Sequence, residues 1–244
     1  MISPSSEGER KKLMKKRYIF LIIILLLAGV LAYLGRQTAD QNRKIIWGAT
    51  FEKNFAKDLG LDWRAAYSAL FDDLKIKNIR IAARWTDIEP QENRYNFTDL
   101  DWQVEEAAAR NVKIILAVGQ KLPRWPECFI PDWAQGNQDA LLEYIKITVN
   151  RYQNNSAIIA WQVENEPFLS FGICPSLDVS LLDKEIALVK NLDSRPVIIT
   201  DSGEFSLWVS AAKRADIFGT TLYRRVWNEL LGSYQYPLPP AFFG

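Results

Sequence analysis

Two carboxylates and an amide lie within three residues of one another: Glu164, Asn165 and Glu166. Such groups are costly to remove from water unless they are paired with other charges or used in chemistry. The chemistry that carboxyl groups offer is proton transfer, so this stretch is a candidate active site. The competing interpretation is an exposed polar loop without a catalytic role.

The preceding residues predict the element that carries this group. An apolar run at 157–160 leads into Trp161, and a proline ends the pattern, as in a buried strand that stops at a loop. Side chains alternate along a strand, so Gln162, Glu164 and Glu166 are predicted on one face and the apolar side chains on the other. In a parallel barrel, the polar face would point into the lumen.

The residue counts exclude several kinds of site. The chain has no histidine and only two cysteines, which excludes a Ser-His-Asp or Cys-His relay and a histidine- or cysteine-based zinc site. Lysine and arginine (30) balance aspartate and glutamate (29), so the composition carries no nucleic-acid-binding signature. We expect no metal, no organic cofactor and no nucleic-acid partner.

The first 44 residues predict attachment to a membrane. Residues 1–17 are polar and then basic, and 18–34 are an uninterrupted run of 17 apolar or small residues, at the short end of what spans a bilayer. We predict a cytoplasmic N-terminus, a transmembrane signal anchor at 18–34 and a tether at 35–44. The positive cluster before the run places the following domain outside the cytoplasm. The alternative is a cleaved signal peptide with its cleavage site at 30–32.

From residue 45 onward, short β-rich runs alternate with helical patterns, which is typical of βαβ units and a parallel sheet. Asp62 and Thr98 are predicted to begin helices, Thr98 as part of a capping box with Asp101. The predicted strands are 45–51, 78–84, 112–118, 157–164, 197–201 and 216–222. The predicted helices are 62–76, 99–110, 138–153, 180–192 and 205–214. This indicates one α/β domain at 45–244 with about six of the eight βα units that close a barrel.

Several motifs together resemble the clan A glycoside hydrolases, most closely the family 5 type of (β/α)8 TIM barrel. They are NIRIAARW (78–85), IEP (88–90) with YNFTDLD (95–101), WQVENEP (161–167) and GTTLY (219–223). Their order and spacing match over roughly residues 45–225. The resemblance implies a retaining glycosidase that acts on a β-linked glycan. An alternative of another class is a non-catalytic carbohydrate-binding or cell-envelope protein on a degenerate barrel.

The resemblance assigns roles to individual residues. It implies that Glu166 is the general acid/base and that Asn165 holds the sugar 2-hydroxyl. Arg80 is expected on the floor of the site beside the nucleophile, and Tyr223 is expected to hydrogen-bond that nucleophile. Glu164 is the alternative acid, but its deeper position on the strand favours a structural role.

Three further side chains are candidates for substrate contact. Trp85 and Trp125 are predicted to line sugar subsites, with core packing as the alternative for each. Arg84 has the same strand parity as Arg80, so it is expected either to contact substrate or to form a surface ion pair.

The second catalytic carboxylate is the main departure from the family pattern. The family's nucleophile is a glutamate at the end of strand seven, which we expect on sequence beyond residue 244. Glu127, Asp201 and Glu204 are nearby carboxyl groups, but none has the family's position. Cys128 and Cys174 follow neighbouring strands and are predicted to form a disulfide across the rim of the site, with two buried thiols as the alternative.

Overall fold

The computed structural model describes residues 4–34, 44–203, 206–221, 223, 225–228 and 232–235. The chain divides into two compact units, one at 46–223 and one that combines 1–45 with 224–244. Helix α1 (Pro4–Leu34) belongs to the second of these. None of the helices within the described residues is both long enough and apolar enough to cross a bilayer, so the predicted transmembrane helix at 18–34 is unsupported. The predicted tether lies outside the described residues except for Lys44.

The unit at 46–223 is built on one parallel sheet. Each strand pairs with the next in the chain, so the order is that of consecutive βα units in a barrel wall. This confirms the predicted parallel sheet of six strands. The strands are β1 (Ala49–Thr50), β2 (Asn78–Ala82), β3 (Lys113–Val118), β4 (Ile158–Val163), β5 (Val197–Asp201) and β6 (Ile217–Thr220).

Helices connect the strands, close to the predicted positions. The long ones are α3 (Trp63–Asp72), α5 (Thr98–Ala109), α6 (Gln138–Tyr152) and α7 (Val179–Leu192), and the short ones are α2 (Lys53–Asp58), α4 (Trp85–Ile88) and α8 (Val209–Ala212). The largest differences are at the ends of this unit, where β1 has two residues and α8 has four. The prediction for α8 began at residue 205, which is outside the described residues.

The two predicted helix caps have different outcomes. The Asp62 carboxylate accepts hydrogen bonds from the backbone N–H groups of Arg64 and Ala65, which confirms it as the cap of α3. The predicted capping box at Thr98 is wrong. Helix α5 follows Phe97 without a side-chain cap, because the N–H of Thr98 already donates to Asn96 Oδ1 at 3.1 Å.

Aromatic side chains attach the helices to the strands. The Trp161 side chain of β4 is fully buried, and its indole N–H donates to Asp193 after α7 at 3.0 Å. Tyr144 of α6 stacks on Trp85 with ring centroids 5.2 Å apart and donates a hydrogen bond to the carbonyl of Ala83. These contacts hold α6 and α7 against the strands whose carboxyl ends carry the candidate site.

The other unit contains a second small sheet. Strands β7 (Arg225–Asn228) and β8 (Gly232–Gln235) form an antiparallel pair, which the sequence analysis did not predict. Strand β7 is therefore not a seventh parallel strand of the barrel wall.

Candidate active site

A row of polar side chains crosses four strands on one face of the parallel sheet. Arg80 of β2 donates from Nη1 to Gln162 Oε1 of β4 at 3.0 Å and from Nε to Thr50 Oγ1 of β1 at 3.1 Å. Gln162 in turn donates to Thr200 Oγ1 of β5 at 3.3 Å. As the alternation of β4 predicts, Gln162 faces this polar row, while Trp161 packs the other way.

The alternation of β4 does not continue into the loop. The strand ends at Val163, and both Glu164 and Glu166 have a left-handed backbone, with φ of 57° and 45°. The Glu164 carboxylate accepts the backbone N–H groups of Gln120 at 2.8 Å and Lys121 at 2.6 Å. The prediction that Glu164 shares the lumen face with Glu166 is wrong, because the left-handed residue redirects the chain after the strand.

Two hydrogen bonds to its backbone hold Glu166 in place. The N–H of Glu166 donates to Thr200 Oγ1 at 2.9 Å, and its carbonyl accepts from Lys121 Nζ at 3.0 Å. The residue is only 8 % exposed, and within the described part of the chain its Oε1 has no hydrogen-bond partner. That oxygen is therefore available to a group that binds in the site.

Burial is the main influence on the Glu166 carboxyl and raises its pKa above the usual range. A hydrogen bond from Thr221 and the positive charges of Lys121 and Arg80 oppose the rise, whereas the nearby charge of Asp201 adds to it. A carboxyl with a raised pKa keeps its proton closer to neutral pH, as a general acid requires.

Arg80 lies in the electrostatic range of Glu166 and Tyr223. Burial lowers the pKa of the Arg80 guanidinium, and the charges of Glu166 and Tyr223 counteract this. Tyr223 is 58 % exposed. The ion pairs among the described residues do not include Arg80, whose Nη1 and Nε donate instead to the oxygens of Gln162 and Thr50. The structure thus brings Glu166, Arg80 and Tyr223 into one neighbourhood.

Asn165 lies between the two glutamates and is buried. Its N–H donates to the carbonyl of Lys121 at 2.7 Å, and its Oδ1 accepts from Gln162 Nε2 at 3.3 Å. The Asn165 amide is therefore oriented by the same polar row that contains Arg80.

Lys121 is a site residue that the sequence analysis missed. Its buried Nζ donates to the carbonyls of Glu166 at 3.0 Å and Leu169 at 2.6 Å, and lies 3.6 Å from Glu127 Oε2. The lysine fixes the backbone of the loop that carries Glu166. The only signal for it in the sequence is its place just after the apolar run of β3, where barrel strands deliver functional side chains.

Two of the alternative carboxyl groups lie close to Glu166. Burial raises the pKa of Glu127, Lys121 opposes this, and the charge of Glu166 adds to it. Asp201 is fully buried, and its oxygens accept from the Ser202 N–H and the Ser206 hydroxyl. Glu204 lies outside the described residues.

The predicted substrate-contacting side chains occupy different environments. Trp85 is 1 % exposed and donates to Glu89 Oε2, so its surroundings correspond to the core-packing alternative. Trp125 is 65 % exposed and meets Phe171 edge-on with ring centroids 6.0 Å apart. Arg84 forms an ion pair with Glu52 at 3.3 Å.

A disulfide joins the loops that follow β3 and β4. Cys128 and Cys174 are bonded with an S–S distance of 2.05 Å, which confirms the predicted pairing. The N–H of Ile173 also donates to the carbonyl of Pro126 at 2.9 Å. A Cβ atom at Gly172 would lie 2.6 Å from the same carbonyl, so the close approach of the two loops requires glycine there.

Comparison with known proteins gives consistent matches to glycoside hydrolases. A family model described as beta-galactosidase, of glycoside hydrolase family 42, matches residues 62–145. Beta-galactosidase BgaA of Clostridium cellulovorans is 26 % identical over 165 residues, which cover 57 % of this chain and 25 % of the relative. The probable mannan endo-1,4-beta-mannosidase A of Aspergillus niger is 44 % identical over 71 residues, which cover 27 % of this chain and 17 % of the relative. The chain spans a quarter or less of the length of these two relatives.

Solved structures share the fold at low sequence identity. The cold-adapted beta-galactosidase of Rahnella sp. R3 has a TM-score of 0.55 and 13 % identity, covering 78 % of this chain and 41 % of that one. Xylanase 10B of Thermotoga maritima has a TM-score of 0.53 and 17 % identity, covering 72 % and 60 %. A family 5 enzyme, GH5_18 of Streptomyces cattleya, has a TM-score of 0.52 and 14 % identity, covering 66 % and 45 %.

The comparisons confirm the resemblance to clan A glycoside hydrolases with a (β/α)8 barrel, and they support the prediction of a glycosidase. The parallel six-stranded sheet is in agreement with such a barrel wall.

Proposed function

We propose that this chain is a glycoside hydrolase of the clan A type, which hydrolyses β-glycosidic bonds by a retaining mechanism with Glu166 as the acid/base. The observation that carries the proposal is the setting of Glu166. Its carboxyl is largely buried at the carboxyl end of β4, has a raised pKa, and lies near Arg80 and Asn165.

The chemistry of the proposed reaction follows from one proton on Glu166. In the first step the protonated carboxyl gives its proton to the glycosidic oxygen as the bond to the sugar breaks and a carboxylate attacks the sugar carbon. In the second step the ionised Glu166 takes a proton from water, and that water releases the sugar from the covalent intermediate. The attacking carboxylate is proposed to be a second glutamate, at the end of strand seven of the barrel.

The substrate proposal is limited to β-linked glycans. The relatives are named for β-galactosides and β-mannan, and a structural neighbour is named for xylan. These names share the β linkage and differ in the sugar. Side chains on the loops set specificity in such barrels, and the loops after β3 and β4 carry the exposed aromatic rings described above.

The test of this function is hydrolysis of a panel of β-galactosides, β-mannans, β-xylans and β-glucans by the complete protein. Product analysis by NMR in the first minutes should show the β anomer, as retention requires. Absence of turnover on the whole panel, or an α anomer as first product, would refute the proposal.

A second candidate function is glycan binding without turnover. It is favoured by the exposed ring of Trp125 beside Phe171, because stacking on a sugar needs no catalytic carboxylate. Calorimetry with the same glycans separates the two, because this candidate predicts saturable heat of binding with no release of reducing ends.

We also predict a role for Trp125 in substrate binding. Trp125→Ala is expected to raise KM roughly tenfold with little change in kcat, since stacking on one aromatic ring contributes about 1–1.5 kcal/mol. Steady-state kinetics on oligosaccharides would measure this. The matched control is Trp85→Ala, which removes a core side chain and should lower the melting temperature instead. An unchanged KM in Trp125→Ala would contradict the assignment.

We place the barrel unit outside the cytoplasm. The supporting observation is the Cys128–Cys174 disulfide, because disulfides persist in oxidising compartments. The proposal assigns export to the apolar run at 18–34 as a cleaved signal. Cells that express the full chain should show the protein in a secreted fraction, with both cysteines protected from thiol labelling. Recovery of the reduced chain from the cytosol would refute this location.

A further inference from the structure

Two buried carboxyl groups behind β4 have no role in the proposed reaction. Glu164 is 4 % exposed and Glu185, on α7, is 2 % exposed; both line one cavity, and each carboxyl group affects the pKa of the other. Two carboxyl groups can hydrogen-bond each other only if one of them carries a proton. Two ionised carboxylates in buried contact would also repel each other, so the pair keeps at least one proton in the folded protein.

The surrounding donors show which partner is ionised. Both Glu164 oxygens accept backbone N–H groups, Oε1 from Gln120 at 2.8 Å and Oε2 from Lys121 at 2.6 Å. Among the described residues, Oε2 of Glu185 is buried without a hydrogen-bond partner. Glu164 is thus the partner that ionises first, and Glu185 is the acid that donates to it. A Cβ atom at Gly119 would lie 2.3 Å from Glu164 Oε1, so glycine is required for this approach.

A cavity of about 270 Å³ borders the pair. Glu164 and Glu185 both line it, together with apolar side chains of the β4 loop and of α7 such as Phe168 and Leu182. The pair lies away from Arg80, which hydrogen-bonds on the lumen side of β4. Its influence on the candidate site must therefore pass through the backbone.

The contacts provide that connection. Glu164 holds the N–H groups of Gln120 and Lys121, the Lys121 carbonyl accepts the N–H of Asn165, and Lys121 Nζ donates to the carbonyl of Glu166. We propose that Glu185 is a positioning residue, which donates a hydrogen bond to Glu164 and so fixes Lys121 and the loop that carries the acid/base. The catalytic part of this proposal rests on the proposed function, whereas its structural part does not.

The electrostatic setting agrees with a retained proton. Burial raises the pKa of Glu164 to about 7, although the backbone N–H groups of Gln120 and Lys121, the side chain of Glu185 and the charge of Lys121 oppose the rise. Burial and the neighbouring Glu164 raise the pKa of Glu185 well above its usual range. The other titratable groups that face the pair are Asp178 at the start of α7, which also raises the pKa of Glu185, and Tyr144 of α6.

These shifts determine how stability depends on pH. The pKa of Glu185 is higher in the folded state than in the unfolded state, so the folded state binds more protons. The stabilisation is fully present below the usual glutamate range and is lost as pH rises toward the folded pKa. Glu185→Gln keeps a donor for Glu164 but cannot lose a proton, so it removes this dependence.

The test is the melting temperature of the full chain between pH 5 and pH 8, which requires no catalysis. As pH rises, the melting temperature of Glu185→Gln minus that of the wild type is expected to increase by about 3–5 °C per pH unit over part of this range. Glu185→Leu, which has no donor, should melt below Glu185→Gln at every pH. Parallel curves for the wild type and Glu185→Gln would overturn the proposal.

The matched control is Glu89→Gln. Glu89 is another buried glutamate, but its two oxygens accept from the Trp85 indole and the Asn93 N–H. The same gain with pH in Glu89→Gln would overturn the assignment to the pair. The positioning role is tested by activity: kcat/KM of the wild type should decline at alkaline pH more steeply than that of Glu185→Gln. Altered melting with identical pH–rate profiles would refute the positioning role, whereas absence of hydrolysis in the wild type would instead refute the proposed function.

Discussion

Replacing Glu166 with glutamine is expected to lower kcat about 10²–10⁴-fold on glycans and alkyl glycosides, whose leaving groups need a proton. Glutamine has nearly the same shape and retains the backbone contacts to Thr200 and Lys121, but its side chain has no proton to transfer. Glycosides with acidic phenol leaving groups need less protonation, so they should lose less in the first step. Steady-state rates across a series of leaving groups measure this difference.

The pH dependence of the same variant gives an independent check. A general acid must be protonated, so wild-type activity should fall as pH rises through the raised pKa of Glu166, and the glutamine variant should lack this decline. Glu164→Gln is the matched control, since Glu164 is the neighbouring carboxyl with backbone and carboxyl partners of its own. The Glu164→Gln variant should lose mainly stability, and its activity should depend on the leaving group less than that of Glu166→Gln. The reverse assignment would follow if Glu164→Gln showed the leaving-group dependence and Glu166→Gln did not.

Strand β4, which leads into the loop with Glu166, was predictable because its sequence pattern lies within one short segment. An apolar run that ends in polar residues and a proline defines β4 to within one residue at each end, and the six strands appear in the predicted order. The direction of Glu164 was not predictable in this way. Its left-handed backbone has no signal in the sequence, because glutamate has no particular preference for that conformation.

The residues that orient the site could not be predicted from the sequence for a different reason. Lys121 meets Glu166 across 45 residues of sequence, and Glu185 meets Glu164 from a helix in which it reads as one polar position among several. Such contacts depend on the packing of α7 and the β3 loop against β4, which a pattern within one element does not specify. The candidate acid/base was therefore accessible from the sequence, whereas the groups that orient it were not.

Removal of the disulfide by Cys128→Ala with Cys174→Ala is expected to cost roughly 4 kcal/mol of unfolding free energy. The two cysteines are 46 residues apart, and a cross-link over a loop of that length removes much conformational freedom from the unfolded chain. Chemical denaturation of the double variant and the wild type under oxidising conditions measures the difference. Reductant should lower the stability of the wild type to that of the double variant and leave the variant unchanged.

Removal of the disulfide should also lower the activity, because the bonded loops contain the residues that hold Glu166 in position. Glu127 precedes Cys128 and lies 3.6 Å from Lys121 Nζ, and the Lys121 side chain holds the carbonyl of Glu166. We expect kcat of the double variant to fall even at temperatures where it remains folded, because Lys121 is then less constrained. Full activity in a folded double variant would show that the contacts of Lys121 hold the loop without the cross-link. A loss of stability below about 1 kcal/mol would mean that the hydrogen bond between Ile173 and Pro126 and the packing around it already fix the two loops.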